Sequence, residues 1–213
     1  LHAELQRGVS LRAKRASPVF WLLKSFLVNW TRIMFVTHLE CSKCRLTYES
    51  EQIMQLCTCG GPLLVCYDLH RVKGAVSKEV LGTRKPTLWR YREWLPIRQD
   101  ENIVSLGEPM TPVIPLRKLG LELGIPHLYM KDEGLLPTGT FKARGATVGA
   151  SRARELGVQV LAMPTNGNAG AAWAAYCQAA EIRAVVVMPA DSPAINQKEC
   201  TITMIERLCF SGS

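Results

Sequence analysis

The stretch "GLLPTGTFKARGATVG" at 134–149 opens a helix on a lysine set between a Pro-Thr-Gly-Thr turn and an Arg-Gly pair. The residues downstream of it decide the fold class. "FKARGATVGASRARELG" (141–157) predicts a helix stopped by Gly157, and "VQVLAMPT" (158–165) an apolar strand. "NAGAAWAAYCQAAE" (168–181) predicts an alanine-rich helix, "RAVVVMP" (183–189) a second buried strand, and a further helix starts near Pro193. With "HLYMKDE" (127–133) as an earlier strand, this alternation predicts an α/β fold in which a parallel sheet carries flanking helices.

Open sheets of this type bind ligands beyond the C-terminal ends of their strands. Two loops fall there: the one that delivers Lys142, and "TNGNAGAA", which holds Thr165, Asn166, Gly167, Asn168 and Ala169. The second loop offers backbone N–H groups and two side-chain amides to an anion. A lysine facing the same crevice could form an imine with a carbonyl cofactor. Taken singly, each has a plainer reading, as a helix cap and a solvated charge.

Upstream, residues 38–68 are short-stranded and rich in turns, with Gly60-Gly61-Pro62 as punctuation. Cys41-x-x-Cys44 and Cys57-x-Cys59 lie 12 residues apart, a spacing that lets two turns present four thiolates to one structural zinc ion. The second pair is tighter than the usual two-residue gap, so Cys66 is an alternative ligand and plain buried thiols are the alternative reading. A four-thiolate site is closed and does no catalysis. "LHRVKGAVSKEV" (69–80) reads as a polar connector, and "PTLWRYREWLP" (86–96) as a short helix between prolines.

The chain has 213 residues and a formal net charge of +8. Six of the basic residues precede Met34 against the single acidic Glu4, and beyond it there is no basic run interleaved with aromatics, which argues against a nucleic-acid partner. The apolar segment 19–36 is interrupted by Lys24, Asn29 and Arg32. Each charge costs about 2.5–3.5 kcal/mol at a bilayer centre, so a membrane span is not expected. Residues 1–33 read as a basic leader without a folded role, a targeting segment being the alternative. Clustered cysteines without a convincing export signal point to a reducing, cytoplasmic setting.

Several stretches in order resemble the threonine synthase family of pyridoxal-phosphate enzymes. They are "FVTHLECSKC", "CTCGGPLLVCYDL", "LWRYREWLP", "ENIVSLGEPMTPVIPL", "LYMKDEGLLPTGTFKARG" and "AMPTNGNAGAAWAAY". The resemblance implies fold type II of these enzymes, here incomplete, preceded by a small zinc-ribbon-like β segment. Residues 34–68 would be that segment, 69–199 the N-terminal part of the α/β domain, and 200–213 an aberrant tail. The family pattern makes Lys142 the residue that holds pyridoxal phosphate, with Asn168 on the cofactor's 3-hydroxyl oxygen. Thr165, Asn166, Gly167 and Ala169 would receive the substrate carboxylate, and Cys41, Cys44, Cys57 and Cys59 a structural zinc. Ala143 stands where the common "FKDRG" form has Asp. The implied reaction turns O-phosphohomoserine, an amino-acid phosphate, into threonine and phosphate. Threonine dehydratase or cysteate-synthase-like chemistry on the same fold is an alternative. So is a non-catalytic zinc-ribbon remnant, because the phosphate-binding glycine loop of the family has no counterpart here. The corresponding expectation is a chain with weak or no turnover, with a homo-oligomer as one way to complete the site.

Overall fold

The computed structural model describes residues 35–202 and 206–210. The expected leader at 1–33 lies outside the described residues.

The cysteine-bearing segment forms a three-stranded antiparallel sheet of β1 (Val36–Cys41), β2 (Thr47–Tyr48) and β3 (Leu63–Tyr67), in the order β2-β1-β3. After it, the stretch read as a polar connector is helical, in α1 (Leu69–Ala75) and α2 (Lys78–Thr83). Capping explains the difference. The Asp68 carboxylate accepts from the Arg71 N–H at 3.0 Å, and the Ser77 hydroxyl accepts from the Val80 N–H at 3.3 Å. Only Val72 is buried on either helix, so apolar periodicity had nothing to reveal. Residues Leu88–Trp94 form a 3₁₀ helix, as the flanking prolines suggest.

β4 (Val113–Pro115) and β5 (Tyr129–Lys131) pair antiparallel around the short α3 (Arg117–Glu122). The strand expected at 127–133 is therefore real but does not join the parallel sheet. All six residues of the two strands are exposed, whereas a parallel strand needs both faces covered.

The parallel sheet consists of β6 (Val160–Pro164), β7 (Arg183–Pro189) and β8 (Glu206–Phe210), in that order, with β7 central. Its third strand lies in the 200–213 tail, the part where the chain departs from the family pattern. Helices α4 (Lys142–Glu155), α5 (Asn168–Ala179) and α6 (Ala194–Ile202) alternate with the strands. On α4, Ala143, Ala146, Ala150 and Ala153 recur at helical spacing, and they meet Ala172, Tyr176 and Cys177 of α5 in one buried cluster. Small residues let the two helices approach closely. A Cβ on Gly149 would lie 2.1 Å from the Trp173 ring, itself packed on this cluster. Gly149→Ala is therefore expected to cost about 1–3 kcal/mol of stability by overpacking, read as a lower denaturant midpoint at unchanged slope.

Buried polar groups on α4 hold the preceding chain in place. Thr147 donates to the Val104 carbonyl at 2.5 Å, and the Ser151 hydroxyl accepts from the Val104 N–H at 2.8 Å. On the outer face, Arg152 donates to the Ser50 carbonyl at 2.8 Å and pairs with Glu51 at 2.9 Å, tying the cysteine-bearing segment to α4. No helix among the described residues is long and apolar enough to cross a membrane.

Candidate functional site

Four sulfur atoms converge at one end of the first sheet. The Sγ atoms of Cys41, Cys44, Cys57 and Cys59 all lie within 4.8 Å of one another. The Cys41–Cys59 and Cys44–Cys57 pairs are each 3.5 Å apart. A zinc ion at about 2.3 Å from four thiolates spaces them about 3.8 Å apart, so the set needs little adjustment to close on a metal. Two turns build it. Arg45 (φ 65°) lies just after the first cysteine pair and Gly60 (φ 75°) just after the second, so each turn reverses in the left-handed region. The tight Cys57-x-Cys59 spacing works because the chain turns back at Gly60, whose N–H donates to the Cys57 carbonyl at 2.8 Å. Gly61 must lack a side chain, since a Cβ there would sit 2.8 Å from the Cys41 sulfur. Cys66 lies on β3 with its thiol directed to the Leu64 carbonyl at 3.9 Å, outside the cluster of four sulfurs.

The surroundings favour thiolates at two positions. The Tyr48 hydroxyl donates to the Cys57 sulfur at 3.1 Å, and with the backbone N–H of Cys59 it brings that thiol down to about 6. The Cys44 N–H holds Cys41 below its ordinary value. At Cys44 the Leu46 N–H acts downward, but the neighbouring thiols Cys57, Cys59 and Cys41 outweigh it and leave the group raised to about 12. Such mutual opposition of close sulfurs is what a divalent cation relieves.

The second site lies at the start of α4. Lys142 is its first residue and is exposed. Its Nζ sits 4.4 Å from the Phe141 ring centroid and makes no hydrogen bond or ion pair with another described residue. Thr140 shapes the turn, its hydroxyl accepting from the Lys142 N–H at 3.3 Å. Just before it, Thr138 (φ 65°) and Gly139 (φ 66°) are both left-handed. A β-branched residue there is a real outlier, and such outliers gather at ligand sites. The Thr138 hydroxyl is also buried without a hydrogen-bond partner.

The turn at Pro137–Gly139 packs on α5, whose first residues are Asn168 and Ala169. Thr165, Asn166 and Gly167 form the loop between β6 and α5. The Thr165 hydroxyl accepts from the Gly167 N–H at 3.1 Å, and no side chain caps α5. Sequence reading missed Asn196 on α6, whose amide donates to the Asn166 carbonyl at 3.2 Å and anchors the loop. Among the described residues, no hydrogen bond or ion pair joins Lys142 to residues 165–169. The donor set nonetheless fits a carbonyl cofactor: an uncommitted primary amine, an unpartnered buried hydroxyl and an uncapped helix start.

Behind Lys142 lies a second feature that the sequence did not disclose. Arg144 grips Glu133 with two hydrogen bonds, Nε to Oε2 at 2.6 Å and Nη2 to Oε1 at 2.9 Å. Thr111 donates to the same carboxylate at 2.5 Å and accepts from Lys131 at 2.6 Å. The Arg144 guanidinium, helped by Thr111, holds the Glu133 carboxyl at about 2, against an ordinary 4.5. A carboxyl lowered in the folded state stabilises above its unfolded value, and that contribution is lost as pH falls towards the folded one. Wild-type protein is thus expected to lose on the order of 1–2 kcal/mol between about pH 4.5 and pH 2 from this group, after allowance for solvent screening. Acid titration of Glu133→Gln should lack that component. Parallel acid curves for the two proteins would contradict the pairing.

Residues 104–203 match the family model described as pyridoxal-phosphate dependent enzyme. The threonine synthase of Methanocaldococcus jannaschii is 43% identical over 158 residues, covering 74% of this chain and 39% of that protein. That of Methanosarcina acetivorans is 38% identical over 161 residues, 75% of this chain and 39% of its own. The chain thus spans about two fifths of the length of these curated relatives. Among solved structures, O-ureido-L-serine synthase aligns with 48% of this chain and 33% of its own, at 27% identity and a TM-score of 0.43.

Proposed function

Because the chain belongs to the threonine synthase family of pyridoxal-phosphate enzymes, we propose that it acts on O-phosphohomoserine through a cofactor held by Lys142. The observation that carries this reading is the uncommitted Lys142 amine beside the strained Thr138 and its unpartnered hydroxyl. Lys142 would hold the cofactor through Nζ, and Asn168 would hold its 3-hydroxyl oxygen. When bound, pyridoxal phosphate supplies an electron sink for the substrate's α-carbon. Lys142 would also carry protons at the substrate's Cα and Cβ. Thr165, Asn166, Gly167 and Ala169 receive the substrate carboxylate, for which the uncapped start of α5 offers backbone N–H donors. In the balance, phosphate leaves from Cγ and water adds at Cβ, giving threonine.

Cys41, Cys44, Cys57 and Cys59 hold one zinc ion in a structural role. The sulfur geometry supports this, and all four are free thiols rather than bridged. Clustered cysteines at metal-ligand spacing also favour a reducing, cytoplasmic setting.

The test is stoichiometry. With pyridoxal phosphate supplied, any turnover of O-phosphohomoserine, however weak, should yield threonine and phosphate in equal amounts, and Lys142→Ala should abolish both. Release of an oxo acid and ammonia from threonine, without phosphate chemistry on O-phosphohomoserine, would establish the dehydratase alternative. Phosphate release that survives Lys142→Ala would refute the role of that lysine.

A further inference from the structure

We infer that Thr111, Lys131, Glu133 and Arg144 form a clasp that positions Lys142, and that Glu133 and Arg144 are positioning residues for its reaction with the cofactor. The inference rests on Lys142 being the residue that takes the cofactor. Glu133 ends the segment leaving β5 and Arg144 lies in the first turn of α4, so their paired hydrogen bonds at 2.6 and 2.9 Å close the loop between them. Within that loop lie the buried Leu136, the left-handed Thr138 and Gly139, and Lys142. Thr111, just ahead of β4, joins at 2.5 Å, and Lys131 of β5 completes the network at 2.6 Å from Thr111. Three chain segments are therefore fixed to one carboxylate.

Helix geometry explains how this reaches Lys142. Residues two positions apart on a helix point about 200° apart, so Arg144 anchors the face turned away from the Lys142 side chain. The clasp leaves the amine uncommitted while setting where the first turn begins. An imine-forming lysine must meet its carbonyl in a narrow range of approach, and a displacement of about 1 Å can cost on the order of 100-fold. Among the described residues, no hydrogen bond joins Glu133 or Arg144 to the amine or to the loop at 165–169, so their influence is exerted through backbone placement.

The experiment treats the purified chain with pyridoxal phosphate and borohydride, and measures the initial rate of pyridoxyl transfer to Lys142 by peptide mass. Wild type is compared with Glu133→Gln, Arg144→Lys and the milder Thr111→Val. Amide hydrogen exchange of residues 134–146 is measured in parallel. Expected is a fall of roughly 10- to 100-fold in labelling rate for Glu133→Gln, with Arg144→Lys intermediate. Faster exchange should be confined to this segment, while the remainder of α4 keeps its protection. If Glu133→Gln does not fold, Thr111→Val, which removes one hydroxyl and keeps the shape, gives the same reading with a smaller effect. Undiminished labelling in folded variants of a wild type that is labelled would overturn the clasp inference alone. So would unchanged exchange at 134–146. An unlabelled wild-type Lys142 would overturn the role of Lys142 and the inference with it.

Discussion

Removal of zinc is expected to unfold the three-stranded sheet while leaving the α4–α5 core in place. Few apolar side chains hold the sheet, Phe35 being the buried one beside β1, and its polar ties to α4 run through Arg152. Its third strand, β3, has no fully buried residue, and Leu64 and Val65 are 50% and 39% exposed. Much of the buried centre is supplied by Cys41 and Cys57, at 0% and 4% exposure. Small metal sites of this kind carry about 10–16 kcal/mol of apparent binding energy, which becomes folding energy when the site does not exist in the unfolded chain. Metal analysis should find about one zinc per chain. A chelator should abolish hydrogen-exchange protection at 36–67 and spare 142–189. Cys41→Ser should do the same without chelator, because the serine hydroxyl replaces a buried thiolate in the set. Zinc-free protein with full protection in the first sheet would contradict this expectation.

The second large effect is expected at Lys142. Lys142→Ala should eliminate the visible absorption that develops with pyridoxal phosphate, leaving the spectrum of the free cofactor. The nearby Lys131 is a poor substitute, engaged with Thr111 and Glu133 at 2.6 and 3.4 Å. Stability should change little, since the Lys142 side chain is exposed and bonds to nothing beyond the face of Phe141. Loss of the spectrum with an unchanged unfolding midpoint separates a chemical role from a structural one.

The second half of the fold was legible in the sequence because its apolar patterns are strong. "RAVVVMP" can only be a covered strand, and the alanines of α4 and α5 repeat at helical spacing. Gly157 (φ 71°) ends α4 as expected, by a left-handed turn. The clustering of the four cysteines was legible for a local reason, since each pair sits within one turn. Legibility failed where structure depends on chain path. The Arg144–Glu133 grip joins residues on either side of a loop whose course no local pattern reports. The Tyr176 hydroxyl donates to the wholly buried Glu108, 68 positions away in sequence, with equally little local signal. α1 and α2 escaped because caps rather than an apolar face define them. The pairing of β5 was misjudged because a three-residue strand carries too little pattern to reveal its partner.

The central claim is that Lys142 is the residue that takes the cofactor. Its most direct measurement is peptide mapping after borohydride reduction of the chain with a limiting amount of pyridoxal phosphate. The expected result is one pyridoxyl group, carried by Lys142. A label spread among exposed lysines in proportion to their accessibility, with no preference for Lys142, would contradict it.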